Sequence, residues 1–288
     1  MDRRIADLLG LLDLEILEVN LFRGESRDIG SPQVFGGQVL GQALNAASRT
    51  VTGRTVHSLH AYFLRRGDFN APIIYQVDRS RDGHSFSNRR VVAIQHGEQI
   101  FNMTCSFQIE EPGLEHQVLM PEVPAPEGLA DTSRVAPELL ERLPERVRRL
   151  LQTPRPFEFR AVGPLDTRPA PGDAPSRQVW FRAVAQVPED QTLQRCLLAY
   201  VSDFYLLETA TLPHGISYMS GKAQVASIDH AMWFHRPLRV DDWLLYAVES
   251  PSASGARGFA RANVFSRDGM LVASTAQEGL IRVVTPQT

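Results

Sequence analysis

Cysteine is scarce in this chain of 288 residues: there are two, Cys105 and Cys196. They supply neither a disulfide framework nor a metal-ligand spacing. Each lies in an apolar run, where a reduced core residue is expected. A charge surplus is missing too. The net charge is −3, which gives no electrostatic basis for a nucleic-acid partner. The most basic stretch, 141–160, interleaves its arginines with Glu and Pro and reads as a solvated face. The N-terminal MDRRIADLLGLLDLEILEV has the leucines of a signal peptide, but Asp7, Asp13, Glu15 and Glu18 interrupt it. It reads as an amphipathic helix, and neither secretion nor a membrane span is expected. The final TPQT is no peroxisomal tail of the Ser-Lys-Leu kind. The expected location is cytoplasmic.

Familiar hydrolytic signatures are absent as well. The chain has no Gly-x-Ser-x-Gly elbow and no His-Glu-x-x-His helix. The glycine-rich FGGQVLG lacks the Lys-Ser/Thr of a phosphate loop and the spacing of a dinucleotide fingerprint. His57 and His60, three apart on a predicted strand, should face opposite sides, as should His230 and His235. His84 and His214 fall in predicted turns. No metal site and no cofactor is expected.

What is present is a globular composition, 43% hydrophobic and 22% charged. Residues 111–175 hold 12 of the 19 prolines. That concentration predicts a connector with a short helix near Ala136–Gln152. It leaves two comparable halves, 1–110 and 176–288, and the halves repeat one another. Phe63-Leu-Arg65 in the first matches Phe234-His-Arg236 in the second. At the same separation, Ile74-Tyr75-Gln-Val77-Asp78 falls on Leu245-Tyr246-Ala-Val248-Glu249. A repeat of this length is a duplicated domain.

Each half reads as one helix followed by four strands. In the first, a helix over about 36–48 precedes strands near 56–64, 72–79, 85–95 and 99–109. In the second, a strand at 179–184 precedes a helix capped by Asp190 and running through about Ala210. Strands near 228–236, 242–250, 257–266 and 270–283 follow. Short turns such as RDG, HG and PSASG make the strands antiparallel. The expected class is α+β: two antiparallel sheets, each wrapped around a long central helix and joined into one continuous sheet. Gly36, Gly37 and Gly41 should let a sheet approach the first helix closely.

A helix enclosed in this way must be apolar on nearly every side. CLLAYVSDFYLL (196–207) meets that demand with one exception, Asp203. A buried carboxylate without partners costs several kcal/mol, and the helical neighbours Ala199, Tyr200, Leu206 and Leu207 cannot neutralise it. Its partners must come from strands. Ser227, opening SIDHAMWFHRP, and Gln277, interrupting MLVASTAQEGLIRV, lie where strands of the same half should pass, and both can donate to a carboxylate. On residue type alone, a polar knot that merely orients the helix fits equally well.

Seven blocks, spread over the whole chain, carry a resemblance. They are FGGQVLGQAL (35–44), HSLHAYFLRRGD (57–68), RDGHSFSNRRV (81–91), DFYLLETATLPHG (203–215), DHAMWFHRP (229–237), WLLYAVESPSASGARGF (243–259) and DGMLVASTAQEGLIR (268–282). Together they resemble the acyl-CoA thioesterase II family, the double-hotdog thioesterases. The resemblance implies a tandem hotdog fold and hydrolysis of acyl-CoA. It also implies a helix Asp, a strand Thr or Ser and a strand Gln that position water, which map onto Asp203, Ser227 and Gln277. Members of the family carry Thr where this chain has Ser227, so the hydroxyl stays but the methyl that stiffens χ1 is lost. At the repeat spacing Gln277 falls on Cys105, so one working site per chain is expected. A non-catalytic acyl-CoA-binding protein and a hotdog hydratase or dehydratase are the rival readings; the latter chemistry wants a His with an acidic partner. Exposed sheet edges and a broad outer face favour association, so a homodimer or homotetramer is expected. Arg65, Arg89 and Arg236 could meet the nucleotide end of CoA or form structural ion pairs.

Overall fold

The structure, a computed structural model, describes residues 2–31, 33–132, 148, 153–164, 169, 174–216 and 223–284. The helix expected near 136–152 lies outside these, apart from Arg148. The chain opens with α1 (Arg3–Leu12), capped by Asp2, whose carboxylate accepts from the Arg4 N–H; it buries Ile5, Leu8, Leu11 and Leu12 on one stripe. Where the leucine pattern predicts continuing helix, the chain instead forms a hairpin, β1 (Glu15–Glu18) and β2 (Leu21–Gly24). Asn20 turns it at φ 65°, a conformation Asn tolerates better than most residues.

The first half continues with α2 (Gly36–Ser48), β3 (Thr55–Phe63), β4 (Ile73–Asp82), β5 (Phe86–Gln95) and β6 (Glu98–Gln108). The second contains β8 (Ser176–Ala183), α3 (Gln191–Val201), α4 (Leu206–Thr211), β9 (Ala223–Ser227), β10 (Asp229–Phe234), β11 (Leu244–Ser254), β12 (Arg257–Ser266) and β13 (Leu271–Val283). Between them β7 (Phe157–Ala161) pairs with β8, so the proline-rich connector contributes a strand. Among the described residues the strands form one sheet in the order β1-β2-β4-β5-β6-β3-β10-β13-β12-β11-β8-β7, with β9 beside β13. All pairings are antiparallel, and β3 against β10 is the seam between the halves.

The rest of the connector also has a place. Met120, Val123 and Leu129 pack on a second apolar cluster of Trp180, Trp243, Leu245 and Phe265, apart from the main core. The Trp180 indole N–H donates to Pro124 O, and Gln117 exchanges hydrogen bonds with the β12–β13 turn through Gly269 O and Leu271 N.

The main core lies between the sheet and the helices, and there the helices meet each other. A Cβ at Gly37 would come within 2.1 Å of Tyr200 O, and one at Gly41 within 3.1 Å of Cys196 O. The glycines expected to admit a sheet therefore admit the backbone of α3, which runs antiparallel across α2. Gly36 is the exception, since its missing Cβ leaves room for the Asp203 carboxylate and the Phe63 ring. Gln42, fully buried on α2, donates to Leu11 O and Glu25 O and accepts from the Tyr75 hydroxyl, so its burial is compensated.

Two further sequence expectations change. The helix expected from Asp190 through about Ala210 is broken: α3 stops at Val201, Tyr205 takes φ 68°, and α4 starts at Leu206. Ser202 and Asp203, which compete with helical backbone hydrogen bonds, sit in the break. His57 and His60 do not point to opposite sides either. A β-bulge between Val56 and Ser58 shifts the alternation. His57 then meets Ser106 and the Phe86 ring, and His60 meets the exposed Trp233, all on the outer face. His230 points inward and His235 outward, as the alternation requires.

Gly37→Ala should lower the unfolding free energy by about 3 kcal/mol, since backbone on the opposing helix cannot yield. Gly41→Ala, with looser contacts, should cost about 1 kcal/mol. Urea unfolding of the two variants checks the order.

Candidate functional site

The break between α3 and α4 turns Asp203 out of the helical ladder and toward β13. Its Oδ1 accepts from Gln277 Nε2 at 3.0 Å, and its Oδ2 accepts from the Gly37 N–H at 3.0 Å. Gln277 Nε2 also donates to Ser227 Oγ at 2.6 Å. The three residues singled out from the sequence are thus gathered in one cluster, bridged by a single carboxamide. The Gly37 N–H belongs to the first turn of α2, where unpaired N–H groups and the helix dipole favour an anion. Sequence reasoning missed this fourth group. FGGQVLG carried a signal for it, as a glycine-rich helix start next to no phosphate-binding motif.

Strand geometry explains the convergence. β9 and β10 are two pieces of one path along β13, separated at Ile228, whose N–H goes to Glu278 O and whose carbonyl accepts from Phe63 N. Ser227 pairs with Gly279, so Gln277 is its diagonal neighbour on the adjacent strand. Gly279 itself faces α4, where a Cβ would strike Leu207. Its bareness lets the sheet close on the helix break.

The surroundings of the carboxylate are apolar. Phe35 packs at 5.2 Å from Tyr200 and 4.7 Å from Phe204, and Phe204 meets Phe159 at 5.3 Å. Desolvation pushes the Asp203 pKa up to about 6, against the lowering effect of the Gln277 and Gly37 hydrogen bonds. Part of the residue remains reachable by solvent. The group is therefore a carboxylate of raised basicity, ionised above about pH 6, with two donors holding its oxygens.

Beside it lies a histidine that sequence reasoning set aside. His230 is buried, its Nε2 3.0 Å from Ser202 Oγ and 3.1 Å from Thr275 Oγ1. Burial pushes its pKa down to about 4, with the Gln277 carboxamide opposing. Gln277 stands between Asp203 and His230, bonded to the first and facing the second in the β10–β13 register. At the matching position in the first half the structure has Cys105, buried, its thiol donating to Arg89 O and pushed above the usual range by burial. Among the described residues no three His, Cys, Asp or Glu side chains come together as a metal site.

The arginines considered for the nucleotide end of CoA have other partners. Arg65 pairs with Glu98 and donates to Gln99 O. Arg89 is buried, bonded to Thr50 and Asp82. Arg236 donates to Leu271 O and lies 3.7 Å from Glu115.

Comparison with known proteins identifies the family. A model of the acyl-CoA thioesterase family matches residues 153–280, and a model of the acyl-CoA thioesterase N-terminal domain matches residues 23–108. Acyl-CoA thioesterase 2 of Haemophilus influenzae is 45% identical over 280 residues, covering 96% of this chain and 97% of that one. Human acyl-coenzyme A thioesterase 8 is 41% identical over 291 residues, covering 98% and 91%. The crystal structure of the acyl-CoA thioesterase II TesB2 from Mycobacterium marinum superposes with a TM-score of 0.81 at 43% identity, covering 97% of this chain and all of that one. A protein of hot dog fold from Alicyclobacillus acidocaldarius, 19% identical, superposes at 0.78 over 97% of this chain and 99% of its own, a likeness of fold alone. On two family models, near full-length relatives and a shared hotdog architecture, the chain belongs to the acyl-CoA thioesterase family.

Proposed function

We propose that this acyl-CoA thioesterase hydrolyses acyl-CoA to free fatty acid and CoA with a water molecule held by Asp203, Ser227 and Gln277. Asp203 acts as general base, taking the water proton as the oxygen attacks the thioester carbonyl carbon. Ser227 orients that water through its hydroxyl, and Gln277, whose amide donates to both Ser227 and Asp203, holds the two in place around it. A thioester has weak resonance stabilisation and a thiolate that leaves readily, so positioning and proton transfer supply much of the acceleration. The observation that carries the reading is the single Gln277 amide shared by Asp203 and Ser227 at 3.0 and 2.6 Å. The raised basicity of Asp203 supports it, because a base with pKa near 6 is matched to neutral solution.

The proposal extends to organisation. Residues 1–110 form one hotdog domain around α2, and residues 176–288 form a second around α3–α4 that carries the catalytic side chains. Residues 111–175 connect them, and β3–β10 joins the two sheets. The acyl chain lies in the apolar space flanked by Phe35 and Phe204. The molecule works in the cytoplasm as a homodimer or homotetramer; Tyr62 and Trp233, both exposed on the outer face at the seam with His60 between them, suit association. No described helix is long and apolar enough to cross a membrane.

Asp203→Asn should lower kcat by about 100-fold or more for palmitoyl-CoA, followed as free-thiol release. Ser227→Ala should be clearly impaired and Ser227→Thr close to the parent. Full activity in Asp203→Asn removes the mechanism, and absence of thiol release from the parent favours a binding protein or a hydratase. Because Asp203 must be ionised, kcat/KM should fall about tenfold per pH unit below an inflection near pH 6 and level off above it. A profile flat from pH 5 to 8 contradicts the assignment. Stability runs the other way: burial raises the folded pKa above the unfolded one, so the ionisation of Asp203 costs stability as pH rises from near 4 through 6.

A further inference from the structure

His230 is a buried titratable side chain that the mechanism above leaves unused. It is 1% exposed, as is Gln277. In the β10–β13 register Ala231 faces Ala276, so one further step sets His230 opposite Gln277 on the inner face. Gln277 commits its Nε2 to Asp203 and Ser227, which leaves its Oε1. Among the described residues, Gln277 Oε1 and His230 Nδ1 are both buried with no hydrogen-bond partner. Buried polar atoms of this kind are rarely left unmatched, and here an acceptor and a nitrogen able to donate stand on facing residues.

We infer that His230 is a positioning residue for hydrolysis: its Nδ1–H faces Gln277 Oε1 and fixes which end of the carboxamide meets Asp203 and Ser227. The inference rests on Gln277 acting as a donor in the proposed reaction. A carboxamide is nearly symmetric in shape, and only its partners decide which end is nitrogen. Turned over, Gln277 would set its oxygen against Asp203 Oδ1, acceptor against acceptor, and would draw the Ser227 proton away from the water. The Nδ1–H tautomer needs Nε2 to accept. Ser202 and Thr275 can provide the proton, each by turning its hydroxyl from the carbonyl it also reaches, Ala199 O at 3.0 Å or Ala231 O at 2.8 Å. Burial keeps the ring neutral in the working range, so the tautomer persists.

Two substitutions separate the ring nitrogens. In His230→Asn the side-chain NH2 occupies the place of Nδ1, whereas in His230→Gln the amide reaches the place of Nε2 and offers no donor to Gln277. His230→Asn should keep kcat within about threefold, and His230→Gln should lose about 10–100-fold in kcat with KM little changed. Equal kcat in the two variants, or losses that simply follow the thermal midpoint, would overturn the inference. Should neither variant fold, nitrogen NMR of the parent reads the tautomer directly; a proton on Nε2 overturns the inference and one on Nδ1 supports it. A fully active Asp203→Asn removes the underlying reaction instead, so the two failures are distinct.

Discussion

The site depends on how closely α2 and α3 cross. With no side chain at Gly37, the first turn of α2 can lie against Tyr200 O, and its N–H reaches Asp203 Oδ2. A side chain there would separate the helices and leave the carboxylate with Gln277 as its one donor. All three residues of the proposed water site come from the second half, yet the group that steadies the anion comes from the first. Duplication thus did more than provide two sheets. One copy supplies reacting groups, and the other supplies a helix terminus aimed at them.

Two opposing effects meet at Asp203. The aromatic surroundings raise the cost of ionisation, while the Gly37 and Gln277 donors lower it, and desolvation prevails by enough to bring the pKa to about 6. A carboxylate fully compensated by donors would be a poor base, and one without donors would stay protonated near neutrality. The helix break at Ser202–Tyr205 is part of this balance. An unbroken helix would keep Asp203 on its cylinder, whereas the left-handed Tyr205 swings the chain so that the carboxylate meets β13.

The repeated helix-and-strand order was legible because its signals are local: turn residues, alternation and a helix apolar all round. Asp203 stood out for the same reason, as one charge in an apolar run, and Ser227 and Gln277 were reachable as polar interruptions of strands. What stayed hidden depends on pairing between distant segments. The N-terminal hairpin gave no alternation that would separate it from a leucine-rich helix. The bulge at Val56–Ser58 reversed the facing of His57, because inserting one residue flips every side chain beyond it. Gly37 and Gly41 showed that something approaches α2 but not that it is the other helix. His230 was weighed only against His235 on its own strand, and its neighbour Gln277 is visible only once β10 and β13 are in register.

The central claim is that water attacks the thioester directly and that Asp203 never becomes acylated. A single turnover of palmitoyl-CoA with enzyme in excess in 18O-labelled water tests this against an anhydride opened at the Asp203 carbonyl. The account predicts one solvent oxygen in the released palmitate and none in the Asp203 carboxylate. Unlabelled palmitate from that first turnover, with the label found on Asp203, would show an anhydride intermediate and contradict it.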